Sequence, residues 1–114
     1  MHYQIRLLIM IVTFDKDYLR DLYKIGKTSD KKHRFQPEII RKYKRCIDIL
    51  IDANAIEMLY TIKSLHYEAL RGEKLGISSI RVNNQYRIEF TITDNSAEPI
   101  VTVCNILELS NHYK

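Results

Sequence analysis

The sequence predicts an α+β domain in the order β-α-α-β-β-β, with an N-terminal strand and two to three helices packed on a mostly antiparallel sheet. Three observations carry that prediction. Over residues 37–51 the apolar period is helical: Ile39, Ile40, Tyr43, Cys46, Ile47, Leu50 and Ile51 form one stripe. From Ile77 onward the period becomes two, as a half-buried strand requires. Finally, 114 residues at 46% hydrophobic content hold only 3 Gly and 2 Pro. That suits one packed domain, and argues against repeats or disorder.

The elements follow in order. Ile9–Phe14 is apolar and rich in β-branched residues, so it reads as a strand. Asp15 is the expected N-cap of a first helix, with Asp17 in its first turn, and Gly26 is the expected stop. Lys27–Gln36 is polar and reads as a loop. Pro37 opens the second helix, where proline fits the first turn. Asn54 is the expected cap of a short third helix, with Glu57 in the capping-box position. Two strands alternate around Ile80/Val82 and Tyr86/Ile88/Phe90/Ile92, Asp94–Pro99 is a turn, and Val101–Leu109 is a last strand, apolar on both sides and so interior to the sheet. Residues 1–9 are read as a candidate N-terminal extension, because Met10 is itself a candidate start, and the domain as residues 10–114.

Composition narrows the functional classes. The apolar run Leu7–Val12 is too short to span a bilayer and lacks the small-residue cleavage site of a secretory signal. Cys46 and Cys104 have no CxxC partner, which argues against a thiolate zinc site or a disulfide framework. A cytoplasmic protein without membrane contact is expected. The formal charge of +4 is unevenly placed: residues 1–45 carry 12 basic and 5 acidic side chains (+7), residues 46–114 carry 6 and 9 (−3). The basic half implies an anionic partner or a solvated helix face.

Strand parity says more. If Ile80, Val82, Tyr86 and Ile88 all face the core, Val82 must pair with Tyr86 and Ile80 with Ile88, across a three-residue loop Asn83-Asn84-Gln85. Asparagine suits such a loop because it tolerates positive φ. Arg81 then falls opposite Arg87 on the face away from the helices. Facing like charges cost up to about 1 kcal/mol. Either Glu89, diagonally placed, or a bound polyanion would offset that cost. Arginine's planar fork suits phosphate.

The stretch from His66-Tyr67-Glu68-Ala69-Leu70-Arg71-Gly72 through Ser79-Ile80-Arg81-Val82-Asn83-Asn84-Gln85-Tyr86-Arg87-Ile88 resembles the HigB-type toxins of the RelE/ParE superfamily, also known as plasmid-maintenance, host-inhibition or killer proteins. The opening MIVTF and the closing Ile106-Leu107-Glu108-Leu109-Ser110-Asn111-His112-Tyr113 resemble that family too. The resemblance covers Met10 to Lys114. It implies a RelE-like fold and a toxin that enters the ribosomal A site and cleaves translated mRNA. It also implies a small HigA-like helix-turn-helix antitoxin, with operator DNA bound only through that antitoxin. The shared fold leaves open a ParE-like topoisomerase poison, or a degenerate module that only binds antitoxin.

Metal-independent RNA cleavage needs a base for the 2′-hydroxyl, a cation for the phosphorane and an acid for the leaving oxygen. The four histidines are scattered without metal-ligand spacing, so neither a metal nor another cofactor is implied. By the resemblance, Arg87 stabilises the phosphorane, and Arg81, Arg71 and Lys74 are further phosphate contacts. His112 and Tyr113 are the proton-transfer candidates, at a C-terminal position where relatives carry Asp-Tyr. Relatives also carry a histidine before the L-K-G segment. The matching position here is Glu68 by ungapped count, with His66 two residues earlier. Arg41, Lys42, Lys44 and Arg45, with Lys31, Lys32 and Arg34, form a basic surface for ribosomal RNA or an acidic antitoxin segment.

Overall fold

In the computed structural model, which describes residues 8–112, a five-stranded sheet of order β1-β5-β4-β3-β2 carries the helices on one face. The elements are β1 (Leu8–Phe14), α1 (Asp17–Lys24), α2 (Pro37–Asp52), α3 (Glu57–Tyr60), β2 (Glu68–Ala69), β3 (Ser78–Arg81), β4 (Tyr86–Asp94) and β5 (Ile100–Asn111). β1 runs parallel to β5 and the other three pairings are antiparallel. β5 is interior, between β1 and β4, as its nearly continuous apolar character requires.

The helical stripe packs where its period points. Tyr43, Cys46, Ile47 and Leu50 of α2 join Tyr18, Leu19 and Leu22 of α1 over Ile80, Ile88, Phe90, Cys104 and Ile106 of the sheet. The Tyr43 hydroxyl donates to the Leu19 carbonyl at 2.7 Å, so this buried phenol keeps a partner. Ile51 lies at the margin of the stripe and is 42% exposed, outside the core. Burial raises the Cys46 and Cys104 thiols to about 11 and about 12. Both are packing groups, not nucleophiles.

Three local expectations are corrected. Asp15 does not cap α1: its N–H donates to Ile106 O at 2.8 Å, which extends the β1–β5 ladder, and Lys16 is the N-cap without a side-chain bond. Asn54 does not cap α3. Ile56 is the N-cap, already helical at φ −61° and ψ −31°, and Glu57 is the first helical residue, so the helix grows from a backbone turn with no capping box. The hairpin loop contains no asparagine at positive φ among the described residues. Instead Asn83 Oδ1 accepts from the N–H groups of Gln85 (2.9 Å) and Tyr86 (2.7 Å), so the side chain, rather than a left-handed backbone, closes the turn.

Two features have no counterpart in the sequence reading. One is β2, a two-residue strand that pairs Glu68 with Ser79 and Ala69 with Ser78. The other is a bulge in the β4–β5 pairing between Glu89 and Phe90. At the N-terminal end, Leu8 and Ile9 lie inside β1, opposite Ile100 and Val101.

Ile88 is fully buried at the centre of this packing. Ile88→Ala is expected to cost about 2–5 kcal/mol in denaturant unfolding, whereas Ile51→Ala stays within about 0.5 kcal/mol.

Candidate nucleic-acid interface

The site begins with the β3–β4 register. Ile80 pairs with Ile88 and Arg81 with Arg87, and Val82 N–H donates to Tyr86 O at 3.0 Å. Both isoleucines are buried under the helices. The alternation of a pleated strand therefore turns Arg81 and Arg87 to the open face. β5 supplies the neighbouring row: Arg87 pairs with Ser110 and Tyr86 with Asn111, and the His112 N–H donates to Gln85 O at 2.6 Å. The register thus carries position 112 to the same side as Ser110 and Arg87.

The hairpin loop fixes both guanidiniums. Arg87 Nη1 donates to the carbonyls of Asn83 (2.7 Å) and Tyr86 (3.1 Å). Arg81 Nη2 donates to Asn84 Oδ1. Among the described residues neither arginine is ion-paired with a carboxylate, and Arg81 Nε is buried with no hydrogen-bond acceptor. An anion placed between the two side chains would relieve the repulsion.

A second row crosses the same face. Glu68, Ser79, Glu89 and Glu108 are aligned across β2, β3, β4 and β5 by successive pairings. Glu68 and Glu108 are exposed, whereas Glu89 is 7% exposed. Glu89 does not bridge the arginines. Lys74 Nζ donates to Glu89 Oε2 at 2.7 Å, and that bond raises the lysine pKa above its usual value. Lys74 arrives on a tight turn, residues 72–74, with Gly72 and Gly76 at φ +66° and +91°, values that glycine adopts without strain. Arg71 precedes this turn and is exposed.

The remaining candidates lie elsewhere. His66 sits in a left-handed turn at φ 45° and lines a separate cleft of about 380 Å³ with Tyr60, Ile62, Lys63 and Tyr67. The sheet face thus receives Glu68, while His66 belongs to the segment before it. The α2 cations stand on the helical side. Arg41, Lys44 and Arg45 line a groove of about 460 Å³ beside Gly26, Pro37, Ile40 and Asp48. Lys42 and Arg45 line a smaller one, about 220 Å³, that reaches the end of β3 at Arg81 and Val82. Arg41 and Lys42 both approach Glu38, at 3.5 and 3.8 Å. Tyr113 lies outside the described residues. Among the described residues, no group of three or more His, Cys, Asp or Glu is arranged to hold a metal ion, and no helix is long and apolar enough to cross a membrane.

Sequence reasoning missed Asn83 and Asn84 as the groups that position the arginines, and Glu108 as a member of the open face. The Asn-Asn pair was a usable signal, since asparagine side chains bond nearby backbone in turns. Glu108 was hidden by the bulge.

Comparison with known proteins places this architecture. A family model described as "RelE-like toxin of type II toxin-antitoxin system HigB" matches residues 12–102. The chain belongs to this HigB-like toxin family. Among solved structures, the toxin is similar to a YoeB/ParE toxin from Agrobacterium tumefaciens, with TM-score 0.54 and 13% identity over 91% of this chain and 100% of that one. That likeness is one of fold. No curated protein matches the sequence. The matched region includes both arginines and the hairpin loop that holds them; it ends before His112.

Asn83→Ala removes both bonds that close the loop. It is expected to cost about 1–2 kcal/mol in a denaturant melt.

Proposed function

We propose that the toxin is a metal-independent endoribonuclease that cleaves translated mRNA on the ribosome and so stops translation. The observation that carries this reading is the facing pair Arg81–Arg87 on the open sheet face, without a carboxylate partner among the described residues. Family membership supports it, because RelE-like toxins are generally endoribonucleases.

The chemistry follows from the charge that develops at phosphorus. The 2′-oxygen attacks the adjacent phosphate, its proton passes to a base, and the bond from phosphorus to the 5′-oxygen breaks as an acid protonates that oxygen. Arg87 stabilises the phosphorane and Arg81 holds a second non-bridging oxygen. His112 and Tyr113 carry proton transfer, with Glu68 the alternative base on the same face. His66, in its separate cleft, takes part only by contacting RNA that extends past the sheet edge. Arg71 is an outer phosphate contact. The α2 cations serve docking, of ribosomal RNA phosphates or of an acidic antitoxin segment, and Lys42 and Arg45 share a small groove with Arg81. The antitoxin is a small HigA-like helix-turn-helix protein, and operator DNA is reached only through it. The toxin acts in the cytoplasm.

Induction in bacteria followed by mapping of mRNA 5′ ends tests this reading. New ends within translated codons are expected, and Arg87→Ala should lower cleavage about 10²-fold or more, the worth of a transition-state donor. Arg87→Lys, which keeps the charge but loses the fork, should recover only part of it. Growth arrest with intact mRNA would sink the proposal.

A further inference from the structure

Glu89 raises a question that the arginine pair leaves open. It shares the open face of β4 with Arg87, two residues along the strand, where side chains stand about 6.6 Å apart. It is also diagonal to Arg81, within reach of a long side chain. A carboxylate that is 7% exposed needs a cation, and the Arg87 and Arg81 guanidiniums are the nearest cations by register. Yet its ion pair is with Lys74, brought in by a separate loop.

That loop is built for the delivery. Leu75 N–H donates to Gly72 O at 3.1 Å, Ile77 N–H to Lys74 O at 3.0 Å, and Leu70 N–H to Ile77 O at 2.8 Å. The turn is thereby closed at both ends, with Gly72 and Gly76 taking the left-handed φ values it needs. The lysine side chain is half exposed and its partner is not, so the loop reaches inward to the carboxylate.

We propose that Lys74 is a positioning residue that occupies Glu89, keeps this carboxylate off Arg87 and Arg81, and so leaves the arginine pair open to RNA phosphate. The proposal rests on the reading of that pair as the phosphate site. It gives Lys74 a different role from a direct phosphate contact. Without Lys74, Glu89 pairs with the guanidiniums beside it and competes with phosphate for the same donors.

The test is a double-mutant cycle on the full chain. Affinity is measured by fluorescence anisotropy against a single-stranded 2′-O-methyl RNA oligonucleotide, which has no 2′-hydroxyl to react. Lys74→Ala is expected to weaken binding about tenfold, the scale of one charge-assisted contact. Glu89→Gln alone should bind at least as tightly as the wild type. The double variant should match Glu89→Gln within about twofold, because once the carboxylate is gone the lysine has nothing to occupy. A tenfold loss on Lys74→Ala that persists in the Glu89→Gln background makes Lys74 a direct RNA contact and overturns the proposal. So does a Lys74→Ala variant that binds like the wild type. If Lys74→Ala does not fold, Lys74→Gln replaces it, keeping a donor for Glu89 without the charge. Arg87→Ala is measured alongside. If it binds as tightly as the wild type, the phosphate-site reading fails. If it binds weakly while the cycle is additive, only the role of Lys74 fails.

Discussion

Two guanidiniums face each other across an antiparallel pair with no carboxylate between them among the described residues, and the hairpin loop holds them there. Register makes the juxtaposition unavoidable: once Ile80 and Ile88 are buried together, Arg81 and Arg87 must meet on the other face. The repulsion, up to about 1 kcal/mol, is small against the cost of exposing two core isoleucines, at about 1.5–3 kcal/mol each. The hydrophobic pattern therefore fixes the electrostatic one. The loop then offers neutral acceptors, the Asn83 and Tyr86 carbonyls and the Asn84 side chain, which orient the arginines without quenching their charge.

The domain carries two kinds of positive surface, which a small groove joins at the end of β3. The cations of α2 stand on the helical side beside grooves, and they are four of the 12 basic residues in the half that carries +7. The arginine pair lies in the half whose formal charge is −3. Net charge therefore indicates an anionic partner but misplaces the centre, because the local field depends on which acids are occupied. Here Glu89 is occupied, by Lys74. Arginines beside a carboxylate that is already paired are left without it as a partner.

Where the sequence was readable, one period decided the outcome. The α2 stripe and the β3–β4 register both come from strong alternation with a single buried face, and a one-residue slip would have exposed every core side chain. The expected positions of Arg81, Arg87 and the three-residue loop stand in the structure as predicted from that parity. Where local chemistry competed with tertiary pairing, the reading failed. Asp15 has the side chain of a cap, but the β1–β5 ladder claimed its backbone first. β2 has two residues and no alternation, so it exists only because β3 offers an edge. Lys74 was expected as a phosphate contact, and no pattern in the chain ties residue 74 to residue 89.

The bulge explains why β5 reads as apolar on both sides and why its end reaches the arginine pair. From Thr102 to Ile106 the partner of each β5 residue follows one register, and from Glu108 to Asn111 it follows another, offset by one residue. Had the first register continued, Glu108 would lie opposite Ile88 in the core and Leu109 beside Arg87. The extra residue, Leu107, reverses this. Leu109 is buried at 4% exposure, Ser110 lies beside Arg87, and the chain arrives at Gln85 with His112. A strand that reads as apolar on both faces is thus two half-strands of opposite parity. One extra residue re-aims its end, as bulges beside functional sites do. The same offset that keeps a glutamate out of the core brings the only described histidine near the arginine pair to its open face.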